Sequence, residues 1–294
     1  MAARRRFVAP EPADVDAGVF VRLPLADWVA VWPTLMPSPA WPTIAAFEAA
    51  RRAAQDEDGV ERPQFVAQDR AVLDDGLHYE QRIAAGRLAT RLGNWHDLFN
   101  ALVWLRWPRI KHALNAGQCA GIAEVGCSLR TRAQCALTHF DEAGVIVACA
   151  DADLLAAWDT HDWPALFGTH AAAWGERIVA LVFGHALLEH ALVPAQYLVG
   201  KAIVLQATSD DVRALARGDA TARSALDARI AALVRTMPAL ADPQQLRPLP
   251  LSGIPGWHAG VQDAAFHAEA PCFRPLRAGR RYPPAWPLHD KNLP

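Results

Sequence analysis

The stretch NWHDLFNALVWLRWPRIKHALN, residues 94–115, decides how the fold of this chain is interpreted. Large apolar residues recur at helical spacing on two of its faces, which predicts a helix that protein surrounds on most sides. Asn94 is a good N-cap, and Asp97 stands where an acid favours the positive end of a helix. His96 and Asn100 lie one turn apart on the same face. Since buried polar groups need partners, these two side chains either bond to buried backbone or line a pocket.

A second group of polar residues interrupts the apolar stretch GERIVALVFGHALLEHALVP, residues 175–194. We interpret residues 174–192 as one helix. His185 and Glu189 are then four residues apart on one face, a spacing that allows either a hydrogen bond between them or joint ligation of one metal ion. The pair is therefore the candidate metal site.

A third group lies in CALTHFDEAGVIVACA, residues 135–150. Two β-rich runs flank DEAG, and this pattern predicts a β-hairpin with a short turn. Asp141 and Glu142 would lie at that turn, where alternation along a strand lets at most one of them face inward. Either both are solvated turn residues, or Asp141 joins a site.

The remaining sequence indicates an α+β fold, mostly helical, with a small β-hairpin or sheet. Strand signals occur in residues 64–86, including the alternating HYEQRI, and KAIVLQA at 201–207 predicts a buried strand. We interpret residues 1–294 as a single domain. Its helical core spans residues 43–237, and long, ordered, Pro-rich arms span residues 1–42 and 238–294.

Composition limits the classes of function. The 294 residues carry a net charge of −2, so a broad positive field is absent and nucleic acid is an unlikely partner. The five cysteines include no C-x-x-C pair, which favours a reducing compartment, and we expect a cytoplasmic protein. The apolar region 178–205 is interrupted by charged residues, so it predicts core and not a membrane span. No feature of the sequence specifies an oligomeric state.

Six short motifs resemble a family of uncharacterised bacterial proteins, catalogued only as domain of unknown function 3025. They are YEQRI, TRLGNWHDLFNALVWLRWPRIKHALN, LTHFDEAG, FGHALLE, GIPGW and FRP, in this order from about residue 79 to 275. No reaction is assigned to that family. The resemblance implies that its motif positions here are Asn94, His96, Asp97, Asn100, Asp141, Glu142, His185, Glu189, Trp257 and Arg274.

Two classes of function fit these residues. In the first, the protein is a hydrolase-like enzyme with His96, Asp97, Asn100 and Asp141 as catalytic candidates. Ligand-binding candidates are Trp104, Trp257 and Arg274. A divalent metal would be held by His185, Glu189 and a third ligand, with bound water as nucleophile. In the second, the protein is non-catalytic: the polar groups are caps and internal pairs, such as His185 with Glu189 and Arg274 with Asp141, and Trp-rich arms bind a partner.

Overall fold

The computed structural model describes residues 7–32, 35, 40–236 and 240–289. At its centre is a mixed β-sheet built around two parallel strands, β3 (Gly144–Cys149) and β5 (Val199–Gln206). Every residue of β3 is buried, as expected for a strand covered on both faces. β4 (Ile178–Val182) pairs antiparallel with β3, β6 (Arg247–Pro250) pairs antiparallel with β5, and β7 (Trp286–Pro287) extends the sheet beside the end of β5.

A second, two-stranded parallel sheet and a set of helices surround this centre. The small sheet pairs β1 (Gln64–Ala67) with β2 (Arg87–Thr90). The helices are α1 (Leu25–Val31), α2 (Ile44–Asp58), α3 (Arg70–Leu73), α4 (Tyr79–Ala84), α5 (Trp95–Arg106), α6 (Pro108–Val125), α7 (Arg132–Ala143), α8 (Ala152–Asp159), α9 (His185–His190), α10 (Ser209–Ala216), α11 (Ala220–Arg235) and α12 (Ala264–Glu269). The predicted α+β, mostly helical fold is confirmed. Parts of the two predicted arms lie outside the described residues, and the arms stay a prediction.

Helix α5 is surrounded by protein, as the opening stretch predicts. Ten of its twelve residues are buried. The side chain of Asn94 accepts a hydrogen bond from the backbone N–H of Asp97 at 3.0 Å, so the predicted N-cap is present. Residues 94–115 were interpreted as one helix, but the stretch contains parts of two. Helix α5 ends at Arg106 and Pro108 starts α6 at its first position, because proline lacks the N–H that would continue α5.

Three other local predictions are wrong. The segment HYEQRI contains helix α4 and not a strand, because His78 and Gln81 form a capping box that starts a helix. Residues 135–150 are not a hairpin: DEA ends helix α7, and strand β3 follows directly. Residues 174–192 are not one helix: the first part is strand β4, and only α9 is helical. The apolar region that contains β4, α9 and β5 forms core, and within the described ranges no helix has the length and apolarity to cross a membrane.

Glycines allow three segments to pack closely together at the start of β3. The backbone N–H groups of Phe183 and Gly184 both donate to the carbonyl of Gly144, at 3.0 and 2.8 Å. A Cβ at Gly184 would lie 2.4 Å from the backbone nitrogen of Gly144, and one at Gly200 would lie 2.2 Å from Cγ2 of Val145. Only glycine permits this approach. It brings the end of α7 against the start of α9.

Candidate metal centre and cavity

A cavity of about 480 Å³ opens beside α4, α5, α6 and α7. Its volume is that of a small-molecule site. Regularly spaced residues of two helices form its walls: Lys111, Leu114, Asn115, Gln118 and Ile122 on α6, and Gln134, Leu137, Thr138, Asp141 and Glu142 on α7. Each set follows the helical repeat, so each helix turns one continuous face towards the cavity.

Three side chains from three helices meet at one end of this cavity. Nε2 of His96 lies 3.0 Å from Nε2 of His185. Oε2 of Glu142 lies 3.6 Å from Nε2 of His185 and 4.0 Å from Nε2 of His96. Ligands at ~2.1 Å from a tetrahedral ion are ~3.4 Å apart, so these separations bracket the spacing that zinc requires. Among the described residues, this is the one group of three His, Cys, Asp or Glu side chains with that proximity. The three side chains form a candidate metal centre.

Glu189 orients the first of these ligands. Its Oε2 lies 3.1 Å from Nδ1 of His96, on the opposite side of the ring from Nε2. A carboxylate in this position favours the tautomer with the proton on Nδ1, which leaves the Nε2 lone pair free for a metal. Metal-bound histidines in proteins commonly have such a partner. Glu189 therefore occupies the place of an orienting carboxylate.

The electrostatic state of the cluster suits a metal. Burial lowers the pKa of His185 to about 3, so its ring is neutral near pH 7, as ligation requires. Burial also disfavours charge on His96, but its contact with Glu189 and the charge of Glu142 raise its pKa overall. Burial raises the pKa of Glu142, and the carboxylates of Asp141 and Glu189 add to that rise although His96 opposes it. A divalent cation would relieve this concentration of negative charge.

Asp141 lies beside the cluster and is held by a buried cation. Its Oδ1 accepts from Nζ of Lys111 at 2.6 Å, and the same ammonium donates to Oδ1 of Asn100 at 2.9 Å. The amide of Asn100 in turn donates to the hydroxyl of Tyr79 at 3.0 Å. Burial opposes ionisation of Asp141, but Lys111, His185 and His96 hold its pKa below the ordinary value. The cavity therefore has an ionised carboxylate next to the candidate metal centre.

The other predicted residues lie in different surroundings. Asp97 lines the cavity, yet both of its oxygens are bonded to Arg91, at 2.7 and 3.0 Å. Trp104 is buried in the cavity wall, with its ring centroid 5.3 Å from Nζ of Lys111. Trp257 lines a separate small depression, and the side chain of Arg274 is exposed outside the cavity lining.

Two pairings expected from the sequence are replaced by others. His185 was expected to pair with Glu189, but its Nε2 faces His96, and Glu189 binds the far side of His96. The expected pair of Arg274 with Asp141 does not form, because Lys111 takes that carboxylate. Glu142, which the sequence offered only as a turn residue, contributes the third candidate ligand. Asp141 and Glu142 both face the cavity because consecutive helical residues differ by only ~100° in direction, whereas strand residues alternate.

The arrangement defines a candidate mononuclear metal centre of two histidines and one glutamate at the end of a cavity. A family model described as Protein of unknown function (DUF3025) matches residues 63–277, and the chain belongs to this family. The match includes every residue that lines the cavity. Comparisons with curated proteins and with solved structures give no significant match.

Proposed function

We propose that this protein is a metal-dependent hydrolytic enzyme in which His96, His185 and Glu142 bind one divalent cation. The observation that carries the proposal is the approach of Nε2, Nε2 and Oε2 to within 4.8 Å of one another at the end of a large cavity. Three protein ligands leave a fourth position for water, which is the arrangement of catalytic zinc sites. The hydrogen bond from His96 to Glu189 supplies the orienting contact that such ligands need.

The neighbouring groups fit hydrolysis. A bound divalent ion lowers the pKa of its water to near ~7 and makes hydroxide available at neutral pH. Asp141 can accept the proton of that water, since Lys111 keeps its carboxylate ionised. The hydroxide oxygen then bonds to an electrophilic carbon or phosphorus of the substrate, and the bond to the leaving group breaks. We also propose that the protein acts in the cytoplasm, where its five free cysteines stay reduced.

Two histidines and one carboxylate also bind iron(II) in oxygenases. The position of Asp141 favours hydrolysis over that chemistry, because a hydrolytic site needs a proton acceptor beside the metal-bound water. Zinc or manganese in the purified protein would agree with hydrolysis. Redox-active iron as the native metal would refute it.

A non-catalytic, partner-binding protein is the second candidate. It is favoured by the polar groups that are satisfied internally, such as the cap formed by Asn94 and the ion pairs of Asp97 with Arg91 and of Asp141 with Lys111. Internal pairing does not account for the convergence of His96, His185 and Glu142 at a cavity of this size. The metal content of the protein distinguishes the two candidates.

The test is elemental analysis of the full chain, purified without a His tag and dialysed against zinc. We expect about one ion per chain in the wild type, and loss of that ion in His185→Ala and in Glu142→Ala. The matched control is His190→Ala, since His190 lies on the same helix but packs against Phe7 in a tilted arrangement, with ring centroids 4.2 Å apart. Wild-type protein that binds no divalent ion would refute the proposal. Equal loss in the control would show that the effect is unfolding.

A further inference from the structure

The carboxylates that line the cavity differ in what neutralises them. Asp141 is bonded to Lys111, and Asp97 to Arg91. Glu80, in the first turn of α4, has no ion pair with any described residue. Its one side-chain hydrogen bond comes from a neutral amide: Nδ2 of Asn115 donates to Oε2 of Glu80 at 2.7 Å and to its backbone carbonyl at 2.8 Å. Glu80 is therefore positioned in the cavity by a neutral amide and not by an ion pair.

The position of Glu80 relative to the metal centre follows from helix α6. Lys111 and Asn115 are four residues apart on the face that lines the cavity, a rise of ~6 Å along the helix axis. Lys111 holds Asp141 and Asn115 holds Glu80. The residues that hold the two carboxyl groups are thus one helical turn apart on a face that lines the cavity. A substrate bound at the metal centre would have the ionised carboxylate of Asp141 beside it. The carboxyl group of Glu80, which forms no ion pair within the described ranges, would face it from the same cavity.

We propose that Glu80 is the general acid of the hydrolytic reaction, donating its proton to the leaving group. This inference rests on the proposed function. The hydroxide oxygen forms a bond to the electrophilic atom, and the bond to the leaving group breaks with its electron pair on the leaving oxygen or nitrogen. The carboxyl proton of Glu80 then neutralises that atom. The proton accepted by Asp141 passes to solvent, and solvent reprotonates Glu80, so the cycle consumes one water and no other reagent.

The groups that face Glu80 support a protonated carboxyl. Burial raises the pKa of Glu80, and the charge of Asp141 adds to that rise. The hydrogen bond from Asn115 and the charges of Lys111 and Arg130 oppose it. The pKa of Glu80 is raised overall. The geometry agrees with this direction, because the one described side chain that donates a hydrogen bond to the Glu80 carboxyl group is the neutral amide of Asn115.

The experiment compares leaving groups on the zinc-loaded full chain. The probes are matched pairs of 4-nitrophenyl and ethyl esters of acetate and of phosphate. A 4-nitrophenolate leaves without a proton, whereas an ethoxide needs one. For Glu80→Gln we expect hydrolysis of the ethyl ester to slow by about 10²–10⁴-fold and that of the 4-nitrophenyl ester by less than ~3-fold. The control is Glu124→Gln, an exposed carboxyl on α6 that lies outside the cavity lining.

The outcomes separate the inference from the function on which it rests. Equal slowing of both esters, or no slowing of either, would overturn the acid role of Glu80 and leave the hydrolytic function standing. A zinc-loaded wild type that hydrolyses none of the four esters would count against the proposed function, and the acid role would fall with it. A carbon-13 NMR titration of Glu80, assigned through Glu80→Gln, gives a second readout. A pKa at or below the ordinary ~4.3 in the zinc-loaded chain would also overturn the inference.

Discussion

Replacing Glu189 is the sharpest perturbation of the candidate metal centre, because it changes the orientation of a ligand without removing one. Oε2 of Glu189 lies 3.1 Å from Nδ1 of His96. If this carboxylate fixes the tautomer of His96, its loss must weaken metal binding while all three ligands remain. If Glu189 were a direct ligand, or if its role were purely structural, its replacement would change the zinc affinity by a different amount.

The expected size of the effect depends on the replacement. Changes to such orienting partners cost about 10–100-fold in metal affinity, or about 1.4–2.7 kcal/mol. In Glu189→Gln the side-chain carbonyl can still accept from Nδ1 but the negative charge is gone, so we expect a loss near ~10-fold. Glu189→Ala removes the acceptor altogether, and we expect a loss near ~100-fold.

The assay is competition for zinc between the protein and a chromophoric chelator at a fixed neutral pH. Asp97→Asn serves as the control, since Asp97 follows His96 in the sequence but both of its carboxylate oxygens accept hydrogen bonds from Arg91. Glu142→Ala provides the effect of losing a ligand. The reasoning is refuted if Glu189→Ala binds zinc as tightly as wild type. It is equally refuted if Glu189→Ala loses as much affinity as Glu142→Ala, since Glu189 would then be a ligand itself.

Three further predictions concern the framework of the site. Gly184→Ala places a methyl group 2.4 Å from the backbone nitrogen of Gly144. We therefore expect chemical denaturation to show a free energy of unfolding lower by about 1–3 kcal/mol, together with weaker zinc binding. Gly168→Ala, whose new Cβ would meet nothing closer than 3.8 Å, should leave both quantities unchanged. Burial raises the pKa of Asp227 to about 6. The folded chain then binds this proton more tightly than the unfolded chain, so stability falls by up to ~3 kcal/mol as pH rises from about 4 to 7; Asp227→Asn should remove that part of the slope, and parallel pH curves for the two proteins would contradict the prediction. Lys111→Met leaves the buried amide oxygen of Asn100 and the part-buried carboxylate of Asp141 without their ammonium donor. We expect about 1–3 kcal/mol of destabilisation in thermal unfolding, against no change if the ion pair is dispensable.

Local signals predicted helix α5 because each of them agreed. Asn94 is a strong cap and the leucines follow the helical repeat, whereas the division of the stretch at Pro108 was not predicted. At HYEQRI the signals conflicted: the alternation suggested a strand, but His78 followed three residues later by Gln81 is a capping box. The segment is helical, in agreement with the capping box and not with the alternation. Histidine is not among the residues that commonly cap helices, so this signal is harder to recognise in the sequence than the alternation.

The segment at 135–150 was misinterpreted for a related reason. Thr131 and Gln134 form a capping box upstream of the stretch that was taken as a strand. From Gln134 onwards the cavity-lining residues of α7 recur at spacings of three and four, which is a helical pattern visible in the sequence. Interpreting DEAG as a hairpin turn obscured that pattern. Gly144 is instead the residue at which the helix stops and the buried strand begins.

The pairings within the site could not be predicted, even though most of its residues could be named. His96 and Glu189 are 93 positions apart, and His185 and His96 are 89 apart. No local pattern links such residues. They meet because α5 and α9 pack against each other in the folded chain, and the close contact of Gly144 with Gly184 brings α7 to α9. The spacing of His185 and Glu189 predicted that both side chains lie on one face of a helix and share a partner or a metal ion. In the structure the two residues of α9 instead contact opposite nitrogens of the His96 ring: His185 lies at the cavity as a candidate ligand, and Glu189 contacts Nδ1 on the other side of the ring.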